Sequence, residues 1–253
     1  MVTSGDQSLW RLALSQQAKV YNAAFFDAVA RDTQESARVV SSMVYDLVHP
    51  GSVLDVGCAT GTWLAEWSRV GVPDVFGIDG DYVDRTALRI PVDSFQAVDL
   101  NRPFSLGRKF DLVQTLEVAE HLDESSADAF VESLSAHGDV ILFSAAIPGQ
   151  GGTHHVNEQW PSYWAEKFAK AGYTACDVIR PQIWEDPRVD YLYRQNILLF
   201  ARDRVFQNVT PRLDLVHPEM WESGQAYLHV ARKLPGAVAR SLRRRIANRR
   251  LRG

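Results

Sequence analysis

Val53-Leu-Asp-Val-Gly-Cys-Ala-Thr-Gly-Thr-Trp63 joins two structural patterns in one short stretch. An apolar, β-type run reaches Asp55, Gly57/Ala59/Gly61 form a turn of small residues, and Thr62-Trp-Leu-Ala-Glu-Trp67 begins a helix. Glycines at a strand-to-helix turn let backbone approach a ligand, and the helix N-terminus that follows presents free N–H groups. A tight βα connection uses the same residues with no ligand, so the turn needs support from the rest of the chain.

Outward from this turn, apolar runs alternate with helical ones. Strands are predicted at Ser52–Val56, Val75–Ile78, Ser94–Val98, Phe110–Leu116 and Val140–Ala146. Helices are predicted over 8–49, Thr62–Val70, Tyr82–Leu88, Ser125–His137 and Pro161–Ala171, the last with proline in its first turn. Ala175–Ile179 and Tyr191–Ala201 read as two final strands joined by a long turn from Pro181 to Asp190. The strands are nearly continuous apolar runs, as in a parallel sheet covered on both faces. The fold class is therefore α/β, a doubly wound sheet closed by a hairpin, with right-handed crossovers.

Composition bounds the function. The 253 residues are 46% hydrophobic and 23% charged, enough for one large domain with appendages. No apolar run is long enough to span a membrane, and the first residues lack the basic and apolar segments of a secretory signal. Cys58 and Cys176 suggest reduced thiols in a cytoplasmic setting. The net charge of −4 hides an asymmetry: nine basic residues and no acid lie between Arg232 and Gly253, which leaves −13 on residues 1–231. Leu234 to Leu251 can form a basic helix striped by Val238, Leu242 and Ile246, suited to an anionic membrane surface, a nucleic acid or an acidic partner. A homo-oligomer is left open.

Ligands of open α/β sheets bind at the carboxyl ends of strands, where strand order reverses. Here those ends carry Asp55 with Gly57 and Gly61, then Asp79-Gly80, Asp99-Leu100 and Glu117. A carboxylate such as Asp79 can hold a ribose diol, and Leu100 offers an apolar surface to an adenine. Each acid alone could be a helix cap or a solvated loop residue; four at successive strand ends point to one ligand site. A nicotinamide enzyme is the natural competitor, but Gly57-x-x-x-Gly61 lacks the G-x-G-x-x-G spacing.

Glu117-Val-Ala-Glu120-His121 follows strand four, and Gly149-Gln-Gly-Gly-Thr-His154-His155-Val-Asn157-Glu158-Gln159-Trp160 follows strand five. Spacings of three and four bring side chains to one face if the first segment turns helical, and strands four and five end near each other. Two carboxylates, two imidazoles and open water positions suit Mg²⁺ or Mn²⁺. A bound cation would stabilise the alkoxide of an acceptor hydroxyl, with His154 or His155 accepting its proton. The glycines at 149–152 are expected to hinge a closing loop.

The sequence resembles the class I S-adenosylmethionine-dependent methyltransferases over about residues 50–202. Asp55-Val-Gly57-Cys-Ala-Thr-Gly61 is similar to that family's first motif, with Ala59 where glycine is frequent; Asp79 and Asp99 match its second- and third-strand acids. The resemblance implies a Rossmann-like, seven-stranded, mostly parallel sheet whose antiparallel last strand is Tyr191–Ala201. It also implies a domain plan of an N-terminal helical cap (1–49), a methyltransferase core (50–202) and a C-terminal extension with the basic tail (203–253). Tyr21-Asn22-Ala-Ala-Phe25-Phe26 resembles the helix that covers the methionine end of the cofactor, which makes Tyr21 a cofactor contact. The E-x-x-E-H run resembles metal-dependent small-RNA 2′-O-methyltransferases and ubiquinone-pathway O-methyltransferases, implying Glu117, Glu120, His121 and His155 as ligands. The segment His155–Trp164, with Ile183-Trp184 and Tyr193-Arg-Gln195-Asn196, is similar to methyltransferases of surface-glycan and polysaccharide biosynthesis. Asn157, Gln159, Trp160, Tyr163, Trp164 and Trp184 would then serve a sugar acceptor, although each aromatic suits a core equally well. An RNA acceptor is the alternative, as is another small hydroxylated metabolite, and a non-catalytic scaffold is the rival class.

Overall fold

The computed structural model describes residues 23–202 and 211–224. The first helix, α1 (Ala23–Val48), turns Ala37, Val40 and Val44 inward at helical spacing and ends just before Pro50, which disfavours a further helical residue. Then follow β1 (Ser52–Val56), α2 (Thr62–Arg69), β2 (Asp74–Asp79), β3 (Phe95–Ala97), β4 (Leu112–Leu116), α3 (Ala127–His137) and β5 (Val140–Ser144). The chain continues through α4 (Pro161–Lys170), β6 (Thr174–Cys176), α5 (Arg180–Ile183), α6 (Tyr191–Asn196) and β7 (Leu198–Ala201).

The strands form one seven-stranded sheet in the order β3-β2-β1-β4-β5-β7-β6. β1 to β5 pair in parallel, and β7 runs antiparallel between β5 and β6. Side chains alternate across the strands and supply two cores. Val53, Leu112, Leu142 and Leu199 meet α1 and α2 on one face; Leu54, Val113, Ile141 and Phe200 meet α3 and α4 on the other. Covering on both faces explains why the strands are largely apolar.

On the second face Phe143, Trp164, Phe168 and Phe200 interlock, Phe168 stacking on Phe200 with ring centroids 4.2 Å apart. Trp164 is thus core. Arg180 is also buried, yet satisfied: its guanidinium pairs with Asp177 at 2.7 Å and donates to the carbonyls of Arg212 and Leu213. Such a charge stays inside only when its donors are met.

Three expected elements differ. The run Tyr191–Ala201 is not one strand, because Asp190 accepts from Leu192 N–H at 2.8 Å and starts a helix; extended pairing begins at Leu198. The expected turn between Pro181 and Asp190 contains the end of α5. Tyr82–Leu88 is a loop with one 3₁₀ turn, Arg85–Ala87, capped by Asp84.

Two compact units divide the chain, residues 1–215 and 216–253, and within the second residues 218–224 are helical. No described helix is long and apolar enough to cross a membrane, and Cys58 and Cys176 are free and buried. Residues 8–22 with Tyr21, and the basic stretch 232–253, lie outside the described residues.

Candidate active site

Sheet order reverses between β1 and β4, and at the carboxyl ends of these strands opens a cavity of about 680 Å³, within the range of small-molecule sites. Its walls come from the turn after β1, the ends of β2, β3 and β4, the loop after β5, and α6 with Thr33 of α1.

Gly57 lines the cavity at φ 84°, and a Cβ there would fall 2.4 Å from Val118 Cγ2, so both backbone and packing require glycine. Ala59 holds φ 50° with its N–H donated to Asp79 Oδ2 at 2.7 Å. Asp79 Oδ1 accepts from Gly80 N–H and from the Tyr82 hydroxyl, each at 2.6 Å. Burial raises the Asp79 carboxyl, with Tyr82, Ala59 and Gly80 opposing. Asp99 and Leu100 line the same end, Asp99 accepting from Asn101 N–H.

Asp55 and Gly61 do not line the cavity. Asp55 is 2% exposed beside Gln114 of the paired strand, and burial pushes its carboxyl to about 7, opposed by Gln114 and aided by Asp79. Gly61 serves as the left-handed N-cap of α2, under Ile90. Tyr82 was missed by the sequence reading, which put it in a helix. It folds over Gly80, where a Cβ would lie 2.1 Å from its ring; a glycine directly after the strand-end acid was the available signal.

The E-x-x-E-H segment leaves β4 through Glu117 at φ 55°, then makes a 3₁₀ turn over Ala119–His121. Glu117 Oε1 accepts from Asn196 Nδ2 at 3.1 Å and Oε2 from Gln150 Nε2 at 3.0 Å. Glu120 is fully buried; its carboxylate oxygens make no well-formed hydrogen bond, and its polar neighbours are its own backbone, that of Ala146 and the Glu117 carboxylate. Burial first, and the Glu117 charge second, hold its carboxyl well above the usual range. Burial and then the neighbouring His155 press His121 down to about 4, so it is neutral at ordinary pH. The His121 and His155 rings meet edge to face, centroids 4.9 Å apart.

Glu120, His121 and His155 each bring a potential ligand atom within 4.8 Å of the others. Glu117, expected with them, is not within that distance of all three, and its oxygens accept from the Gln150 and Asn196 amides. His155 lines the cavity, whereas His154 is exposed and does not. In the 149–152 loop, where a hinge is expected, Gly149 and Gly151 N–H donate to Glu158, and Gln150 bridges Glu117 and Asn196. Of the aromatics read for a sugar, Trp160 is exposed and Tyr163 and Trp184 are half-buried.

A family model described as a methyltransferase domain matches residues 29–182, more than half of the chain. This chain belongs to that family. The methyltransferase has the strand order and antiparallel β7 of the class I S-adenosylmethionine-dependent enzymes. Among solved structures it is similar to DesVI of Streptomyces venezuelae, 16% identical over 72% of this chain and 98% of that one, TM-score 0.56. Magnesium protoporphyrin IX methyltransferase (ChlM) from Synechocystis PCC 6803, solved with bound SAM, is 20% identical over 75% and 97%, TM-score 0.55. CalS10, an amino pentose methyltransferase from Micromonospora echinaspora involved in calicheamicin biosynthesis, is 18% identical over 71% and 97%, TM-score 0.52. At these identities the likeness speaks for the fold. A search of curated proteins finds no significant match.

Proposed function

We propose that this methyltransferase transfers the methyl of S-adenosylmethionine to a hydroxyl of a sugar or polysaccharide, assisted by a divalent cation at Glu120, His121 and His155. One observation carries the cation: Glu120 is a fully buried carboxyl whose oxygens make no well-formed hydrogen bond, set beside the Glu117 carboxylate and two imidazoles. A buried acid so placed must either keep a proton or neutralise a cation. His121, neutral with a low pKa, has no proton to lose before ligating. One carboxylate with two imidazoles is richer in nitrogen than Mg²⁺ prefers, so Mn²⁺ fits this set better than Mg²⁺.

In this reading Asp79 would hold the ribose hydroxyls, Asp99 and Leu100 would flank the adenine, and the Gly57–Ala59 turn would admit the methionine portion, with Gly80 nearby. S-adenosylmethionine supplies the electrophilic sulfonium methyl. A bound divalent ion lowers the pKa of an acceptor hydroxyl and stabilises its alkoxide. Glu120, His121 and His155 hold that site at the cavity wall, and Glu117, fixed by Asn196 and Gln150, adds a negative field beside it.

The acceptor assignment draws on charge and on relatives. Six acids line the cavity, including Asp81, Asp190 and Glu117, and no lysine or arginine does so among the described residues. Such a wall repels a phosphate backbone and tolerates a neutral polyol, which disfavours RNA. An amino pentose methyltransferase stands among the structural neighbours. The proposal extends to the basic stretch 232–253 as a dock for an anionic membrane surface, where polymers are assembled.

A second reading rests on the 3.1 Å contact of His155 Nδ1 with Glu158 Oε1, the arrangement of a base and its orienting carboxylate. There His155 takes the acceptor proton and Glu120 stays protonated. Incorporation of labelled methyl into sugars, polysaccharides and RNA fragments tests both, after exhaustive chelation and with Mn²⁺ or Mg²⁺ restored. Cation-dependent labelling of a carbohydrate supports the first reading, labelling after chelation the second, and labelling of RNA alone overturns the acceptor assignment.

A further inference from the structure

We infer that Glu158 is a positioning residue that fixes the ring of His155, taking its Nδ1–H and leaving the Nε2 lone pair as the working nitrogen. The value of that nitrogen to a cation rests on the reading above; the ring geometry does not.

Three observations converge. His155 Nδ1 lies 3.1 Å from Glu158 Oε1. The acceptor is itself immobilised, since Gly149 N–H donates to Oε2 at 2.8 Å and Gly151 N–H to Oε1 at 2.7 Å. The Gly152 backbone packs against the ring: a Cβ there would fall 2.2 Å from His155 Nε2 and 2.4 Å from Cε1, so only glycine admits the ring in this orientation.

The chemistry follows from the inventory of donors. A carboxylate receiving two backbone N–H groups accepts well and cannot itself donate. A neutral imidazole has one N–H and one lone pair, and the hydrogen bond made by one nitrogen decides which is which. With Nδ1–H turned to Glu158, Nε2 carries the lone pair. The loop after β5 thereby sets the ring: its glycines hold Glu158, and Glu158 holds His155. Carboxylate partners of ligating histidines typically change metal affinity by about 10–100-fold when removed.

The test uses the full chain, prepared metal-free with ¹⁵N-labelled histidine, and assigns His155 by loss of its signals in His155→Gln. The wild-type ring should show a protonated Nδ1 and an unprotonated Nε2, and Glu158→Ala should move the proton toward Nε2. The same variant should bind Mn²⁺ about tenfold or more weakly by calorimetry. Should Glu158→Ala not fold, Glu158→Gln replaces the charged acceptor by a neutral one and should shift the Nδ1–H resonance upfield. A wild-type ring protonated on Nε2, or nitrogen shifts unchanged by either substitution, would overturn the assignment. Correct ring protonation in a wild-type chain that binds no Mn²⁺ would instead remove the cation and leave Glu158 in its role.

Discussion

Asn196, the last residue of α6, donates through Nδ2 to Glu117 Oε1 at 3.1 Å and ties the end of β4 to a residue 79 positions later. The same amide donates to Gln150 Oε1 at 2.9 Å, so three polar side chains from the end of β4, the loop after β5 and the end of α6 form one unit. This unit occupies both Glu117 oxygens, whereas Glu120, His121 and His155 bring potential ligand atoms within 4.8 Å of one another. Asn196→Ala should expose the dependence. It leaves a buried carboxylate short of a donor, at a cost of about 1–3 kcal/mol. Urea unfolding reads the loss, and a change below roughly 0.5 kcal/mol would mean that Glu117 is held by other means.

Asp79 carries both the cofactor assignment and the turn beside it, through Ala59, Gly80 and Tyr82. Two hydrogen bonds to a charged acceptor are each worth about 1.5–3 kcal/mol. Asp79→Ala should therefore weaken S-adenosylmethionine binding by roughly a hundredfold or more in calorimetry. Unchanged affinity would take the ribose away from this residue.

Asp55 gives a pH dependence with a definite sign. Its folded pKa of about 7 exceeds the ordinary aspartate value of 3.8, so between those values the folded chain holds a proton that the unfolded chain has lost. The stabilisation is full below about pH 4, declines as pH rises through 7, and is gone above it. Asp55→Asn removes the ionisation, so its advantage over wild type should grow from pH 5 to pH 8. Urea midpoints across that range measure it; a constant difference would contradict the buried-acid account.

Trp164 separates core from acceptor site. It lies among Phe143, Tyr163 and Phe168 rather than at the cavity, so Trp164→Ala should cost about 3–5 kcal/mol in stability. Thermal unfolding is the readout. A folded, equally stable variant with impaired acceptor use would return Trp164 to the sugar site.

Much of the frame was legible because burial on both faces writes itself into strands as largely apolar runs, as in Val140–Phe143. The acids at strand ends and the E-x-x-E-H run were legible for a related reason: they are local in sequence. Tyr-Leu-Tyr-Arg-Gln-Asn at 191–196 was not, since its alternation imitates a strand and only the Asp190 cap and the contacts of Arg194, Gln195 and Asn196 favour a helix. The pairing of Asn196 and Gln150 with Glu117 joins distant loops, and no periodicity encodes it. Tyr82 and Glu158 escaped notice because their roles depend on a glycine fitting under a ring, at Gly80 and Gly152, which is a matter of three dimensions.

The most direct measurement is an anomalous-difference map from crystals of the full chain grown with Mn²⁺. The expected result is one peak at coordination distance from Glu120, His121 and His155, with Glu117 still bonded to Asn196 and Gln150. No peak there at saturating Mn²⁺, or a peak on Glu117 with Glu120 left aside, would contradict it.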